Sequence, residues 1–236
     1  MPYVCQSPAP LVYVHIPKTG GTQTREILRA RGGRKEGAGH DSIRVVPYAL
    51  RRDSLCVASL RDPWTWYASW YEHARRLGDE GVRLLRQWSD TPGDFESVLY
   101  GVTHPEDLPT APKRPGVIFT HDGSYPRATA PHGLFTWLWG YFCCERDGTE
   151  IVDVVIDTAQ INEGWASILG EPVEGHANGR SIPTLPKNYA DAYTPEMIQW
   201  VRAADAGLIE RFGFEPFVPM PQPVTHLCTL SPDGDA

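Results

Sequence analysis

Leu11-Val12-Tyr13-Val14-His15-Ile16-Pro17-Lys18-Thr19-Gly20-Gly21-Thr22-Gln23-Thr24 is the stretch that decides the fold class. The apolar run Leu11 to Val14 reads as part of a strand spanning about residues 9–16. It breaks at Pro17, passes through the Gly20-Gly21 turn and restarts as a helix over about residues 21–31. A turn of this kind aims successive backbone N–H groups and a helix N-terminus at one point, which makes a seat for a phosphate. Lys18 adds a cation at the mouth of the seat. In a G-x-x-x-x-G-K-[ST] loop the lysine follows the glycines, whereas here Lys18 precedes them. An ordinary ATP-binding loop is a poor fit.

A second strand-to-helix turn follows. Residues 54–60 form an apolar stretch that delivers Arg61 to its end, and a helix then runs from Pro63 to about Leu77. Proline suits the first helical turn, where its missing N–H would have no partner anyway. Ser69 lies on this helix. An arginine at a strand end and a hydroxyl on the next helix make a second anion site. Two such sites on consecutive turns suggest a ligand with two separated phosphates.

With both segments in view, the chain resembles the sulfotransferases that use 3′-phosphoadenosine 5′-phosphosulfate (PAPS). His15 through Thr22 is similar to the 5′-phosphosulfate loop of the carbohydrate (heparan sulfate 2-O-type) sulfotransferases, and Arg61-Asp62-Pro63 through Ser69 and Tyr71 to the 3′-phosphate motif. The likeness is strongest over residues 10–76 and continues in Tyr193 to Met197 and Glu210 to Phe214. Two positions depart from the pattern. Trp66 stands where the family often has a second arginine, and Gln23 where cytosolic members place an aromatic against adenine.

The resemblance implies a single three-layer α/β domain over residues 1–218, with a central parallel sheet and a P-loop-like phosphosulfate-binding turn. Lys18 would stabilise the leaving oxygen. Backbone N–H groups of Thr19, Gly20, Gly21, Thr22 and Gln23, with the Thr22 hydroxyl, would hold the 5′-phosphate. Arg61 and Ser69 would grip the 3′-phosphate, arginine offering a planar two-pronged contact. Transfer would run in line to a hydroxyl acceptor, carbohydrate or small molecule, with no metal required. A base must take the acceptor proton. His40, in the glycine loop Gly37 to Ser42, is the first choice, with His73 and His121 as rivals. A small-molecule kinase would need a lysine after the glycines and an acidic Mg²⁺ ligand, neither in place. A nucleotide-binding module without catalysis is the third reading: Lys18 argues against it, and an activity assay decides.

Composition bounds these expectations. At 236 residues the chain is long enough for one α/β domain with a buried sheet. A formal net charge of −7 argues against broad nucleic-acid binding. Five cysteines, two of them adjacent, show no disulfide or metal-site spacing and fit a reducing cytoplasm. No basic N-terminal region precedes a long apolar segment, so the membrane anchor of the animal carbohydrate enzymes is not expected. The likeness is to soluble bacterial or viral members or an isolated catalytic domain.

The rest of the chain reads as follows. Helical patches fall near 79–89 and 94–100, a loop over His104 to Pro115, and a short strand over Val117 to Thr120. A buried aromatic helix spans Gly133 to Cys144, a strand Ile151 to Ile156, and a helix Ile161 to Leu169 that Gly170 ends. The last helix has Thr194 as N-cap, Pro195 in the first position and Gly213 as its stop. Residues 219–236 read as a loose tail. Arg29, Arg31, Arg34 and Lys35 form a basic cluster that is more simply a solvated helix end than a glycan site.

Overall fold

Both faces of the sheet are covered, and the strand sequences show why. The computed structural model describes residues 2–6, 9–37, 41–107, 133–174, 185–220 and 224–225. Its strands are β1 (Tyr3–Cys5), β2 (Leu11–Val14), β3 (Arg34–Lys35), β4 (Leu55–Leu60), β5 (Val154–Asp157) and β6 (Val224–Thr225). Side chains alternate across a strand. Val12, Val14, Cys56, Ala58, Leu60 and Val155 therefore face one core, and Leu11, Tyr13, Val57, Val154 and Ile156 face the other. Near-continuous apolar runs are what a doubly covered sheet requires.

The helices are α1 (Gly21–Arg29), α2 (Tyr48–Arg52), α3 (Pro63–Arg76), α4 (Asp79–Leu85), α5 (Phe95–Thr103), α6 (Leu134–Cys143), α7 (Ile161–Leu169), α8 (Pro195–Ala204) and α9 (Ala206–Phe212). Ile27 and Leu28 of α1, with Ile161 and Trp165 of α7, close the smaller core. Residues of α3, α4, α5, α6, α8 and α9 build the larger one. The result is helix, sheet, helix.

The sheet itself is mixed rather than parallel throughout. In the order β3-β1-β2-β4-β5-β6, only β2, β4 and β5 run parallel. β1 pairs antiparallel with both β2 and β3, and β6 antiparallel with β5. The expectation missed β1 because three residues carry little periodicity. The link from Cys5 to Leu11 is also too short for a crossover, which leaves only an antiparallel hairpin.

Pro63, Gly170 and Thr194 act as read, and the structure adds a cap at Asp62. Asp62 caps α3 by accepting from Thr65 N at 2.9 Å, with Pro63 in the first turn. Gly170 closes α7 with φ 72°, and Thr194 caps α8 by accepting from Met197 N at 3.2 Å. The last helix differs: it breaks at Asp205 into α8 and α9. Asp205 is fully buried and its carboxylate accepts from Tyr67 OH at 2.8 Å and from Thr136 N at 2.8 Å.

Part of the stretch read as a tail is built into the fold. Met220 is buried, its N–H donates to Asp157 at 2.6 Å, and Val224–Thr225 join the sheet. The Val117 to Thr120 strand lies outside the described residues. Cys5, Cys56, Cys143 and Cys144 are buried. Among the described residues no helix is long and apolar enough to cross a membrane.

Candidate functional site

The turn after β2 is held from beneath by the neighbouring strand and from the side by α3. Thr19 Oγ1 donates to Ile16 O at 2.8 Å, and Ser59 Oγ of β4 donates to Thr19 O at 2.5 Å. Tyr13 OH meets the same Ser59 oxygen at 2.6 Å. Burial pushes the Tyr13 phenol up to about 12, so it stays a neutral donor. Trp66 Nε1 donates to Pro17 O at 2.8 Å.

Two glycines are required here for different reasons. Gly20 has φ 77° and precedes α1. At Gly21 a Cβ would lie 2.0 Å from His15 Nε2, so the ring of His15 occupies the space a side chain would need. Lys18 has φ 68° without being a glycine, a conformation that costs about 1–2 kcal/mol. Such strain persists where the surroundings over-determine it, often at functional sites.

Helix α1 begins without a capping side chain and with no acidic residue in its first turn. Its leading N–H groups have no partner within the helix. Thr22 is exposed at this end. Gln23 is buried instead, and its amide donates to Asn162 Oδ1 of α7.

Arg61 emerges at the end of β4, which runs parallel to and beside β2. Lys18 and Arg61 therefore lie past the carboxyl ends of adjacent parallel strands, where open α/β sheets bind ligands. Among the described residues neither forms an ion pair or a hydrogen bond. Ser69 is buried on α3. From Ser69, the spacings i+3, i+4 and i+7 put Glu72, His73 and Arg76 on the same helix face.

Electrostatics show that these groups converge. Burial, then Arg76 and Arg61, lower the Lys18 ammonium to about 8, while Glu72 acts in the opposite sense. Burial, then Lys18 and Arg76, lower His73 to about 4, leaving a neutral imidazole at pH 7. Three cations and one carboxylate thus face one region, with an uncapped helix N-terminus beside it. That arrangement suits a multiply charged anion.

The two sequence motifs come together. His40 and His121 lie outside the described residues, and His73 is the rival base that stands beside Lys18. Glu72 and Arg76 were missed, although helical spacing from Ser69 points to both. Trp64, Trp66 and Trp70 are buried, so the aromatic face of α3 belongs to the core. In the basic cluster, Arg31 pairs with Glu171 at 2.5 Å and Arg34 with Glu36 at 3.0 Å. No protein-family model, no curated protein and no solved structure matches the chain.

Proposed function

We propose that the chain is a sulfotransferase that moves a sulfuryl group from PAPS to a hydroxyl acceptor. The observation that carries this reading is the pair Lys18 and Arg61, at the ends of adjacent parallel strands and forming no ion pair among the described residues. The turn after β2 would act as the phosphosulfate-binding loop, with N–H groups of Thr19 to Gln23 on the 5′-phosphate. Arg61 and Ser69 would hold the 3′-phosphate.

In the transfer, an acceptor oxygen bonds to sulfur as the bond from sulfur to the bridging phosphate oxygen breaks. The acceptor proton passes to a base, and the electron pair stays on the leaving oxygen. Lys18 acts where that charge develops, which favours the transition state over the ground state. His40 is the base that the sequence resemblance favours. Among the described residues the rival His73 lies in the field of Lys18, and its pKa, lowered to about 4, makes it the weaker proton acceptor.

Calorimetry with 3′-phosphoadenosine 5′-phosphate (PAP) and AMP tests the reading, because the two differ in the 3′-phosphate. The protein should bind PAP at least tenfold more tightly, and Arg61→Ala should remove most of that preference. A charge-assisted contact contributes about 1.5–3 kcal/mol. Equal affinity of the unaltered protein for the two nucleotides would overturn the reading.

A further inference from the structure

Glu72 is a buried carboxylate on the helix face that carries Ser69, His73 and Arg76. Its partners come from a distant part of the chain. One carboxylate oxygen accepts from Leu185 N at 3.2 Å, and the other from Tyr189 OH at 2.7 Å. Tyr189 opens the short 3₁₀ turn Tyr189–Ala192, which packs on α3. Tyr193 pins the end of this segment by donating to Trp64 O at 2.7 Å. A segment some 120 residues further along the chain is thereby fastened beside the two motifs.

The charges around Tyr189 identify what it faces. Burial, followed by the Glu72 contact, pushes its phenol up to about 12, while Arg61 and Arg76 pull the other way. Arg76 stands one turn beyond Glu72 on the same helix face, and it and Arg61 both act through charge on the ring hydroxyl, which remains a neutral donor. A donor beside two arginines and one carboxylate can serve either the carboxylate or an anion brought in by the arginines.

We propose that Tyr189, positioned by Glu72, is a further binding residue of the 3′-phosphate seat. In the free protein its hydroxyl donates to Glu72. In the complex it donates to a phosphomonoester oxygen between Arg61 and Arg76, while Glu72 keeps the Leu185 N–H. The proposal rests on the sulfotransferase reading of this site and adds a third wall to it, from a region outside both motifs. It also gives Glu72 a double effect, since the carboxylate holds the segment in place but repels the phosphate.

Calorimetry of the full chain with PAP and AMP separates these effects. Tyr189→Phe should weaken PAP binding by about ten- to a hundredfold, the size expected for one hydrogen bond to a charged group, and leave AMP unchanged. Glu72→Gln keeps one acceptor oxygen for Leu185 N and turns the other position into an amide N–H that can donate to the Tyr189 oxygen; with the charge removed, PAP should bind several-fold more tightly and AMP as before. The ratio of the two affinities cancels any loss of folded protein. An unchanged PAP-to-AMP ratio in Tyr189→Phe would overturn the proposal and leave the sulfotransferase reading standing. Should Tyr189→Phe fail to fold, an unchanged ratio in Glu72→Gln has the same force. A wild-type protein without preference for PAP overturns both.

Discussion

Lys18 unites strain, charge and position in one residue. Its left-handed backbone, φ 68°, aims the side chain from a turn that Thr19, Ser59 and Trp66 hold rigid. Its depressed pKa, about 8, records crowding by Arg76 and Arg61 on top of burial. On the proposed reading a bound phosphosulfate would favour the protonated form, so binding should draw a proton onto Lys18 when the free protein has lost it. Nucleotide affinity should accordingly be flat below about pH 8 and fall as pH rises above it. In Lys18→Ala that fall should vanish. The same variant should lose about 10²–10³-fold in kcat, the cost of removing one stabiliser of developing charge, with a smaller loss of affinity. Steady-state rates and calorimetry across pH 6.5–9.5 would show both, and near-normal turnover would mean that Lys18 is only a turn residue. The lysine and Gly21 were legible because their neighbours in sequence are their neighbours in space. Why Gly21 must be glycine was not legible, because it depends on where the His15 ring folds back.

At the scale of the element, α3 joins the two motifs. Its start was legible from Pro63, since first-turn preferences are a local matter. Its faces were not, because aromatic residues crowd nearly the whole circumference and blur the period. Helix α3 has Trp64, Trp66, Tyr67 and Trp70 buried, and a polar stripe carries Thr65, Ser69, Glu72, His73 and Arg76, with Arg75 outside it. Trp66 occupies the position where the resembled family often has a second arginine, and its ring stacks on Phe135 at 4.6 Å. Its Nε1 donates to Pro17 O at 2.8 Å, so this tryptophan braces the turn that carries Lys18. Trp66→Phe keeps an aromatic ring and leaves the Pro17 carbonyl without its donor. Stability should drop by about 1–3 kcal/mol, read as a lower urea midpoint with an unchanged slope. A midpoint equal to that of the unaltered protein would show that the bond contributes nothing.

At the scale of the whole molecule, the parallel centre of the sheet was legible from apolar runs ending in a glycine turn or an arginine. The antiparallel flanks escaped notice because β1 has three residues and β6 two. The break in the last helix was equally hidden. Asp205 reads as one more polar residue on a helix, yet it lies at the junction of three helical elements of one layer. It accepts from Tyr67 OH of α3, and from Thr136 N and Thr136 Oγ1 of α6 at 2.8 and 2.6 Å. Next to it, Gly133 N donates to Ala204 O at 2.7 Å. A Cβ on Gly133 would come within 2.6 Å of the Asp205 carboxylate and the Tyr67 hydroxyl, so the network is close-packed as well as satisfied. Asp205→Ala strands three donors at once. Each buried donor left without a partner costs about 1–3 kcal/mol, so the variant should lose about 3 kcal/mol or more. Asp205→Asn retains one acceptor oxygen and should lose less. Equilibrium denaturation of the two variants against the unaltered protein would rank them. Asp205→Ala as stable as the unaltered protein would mean that the three helices are held by apolar packing alone.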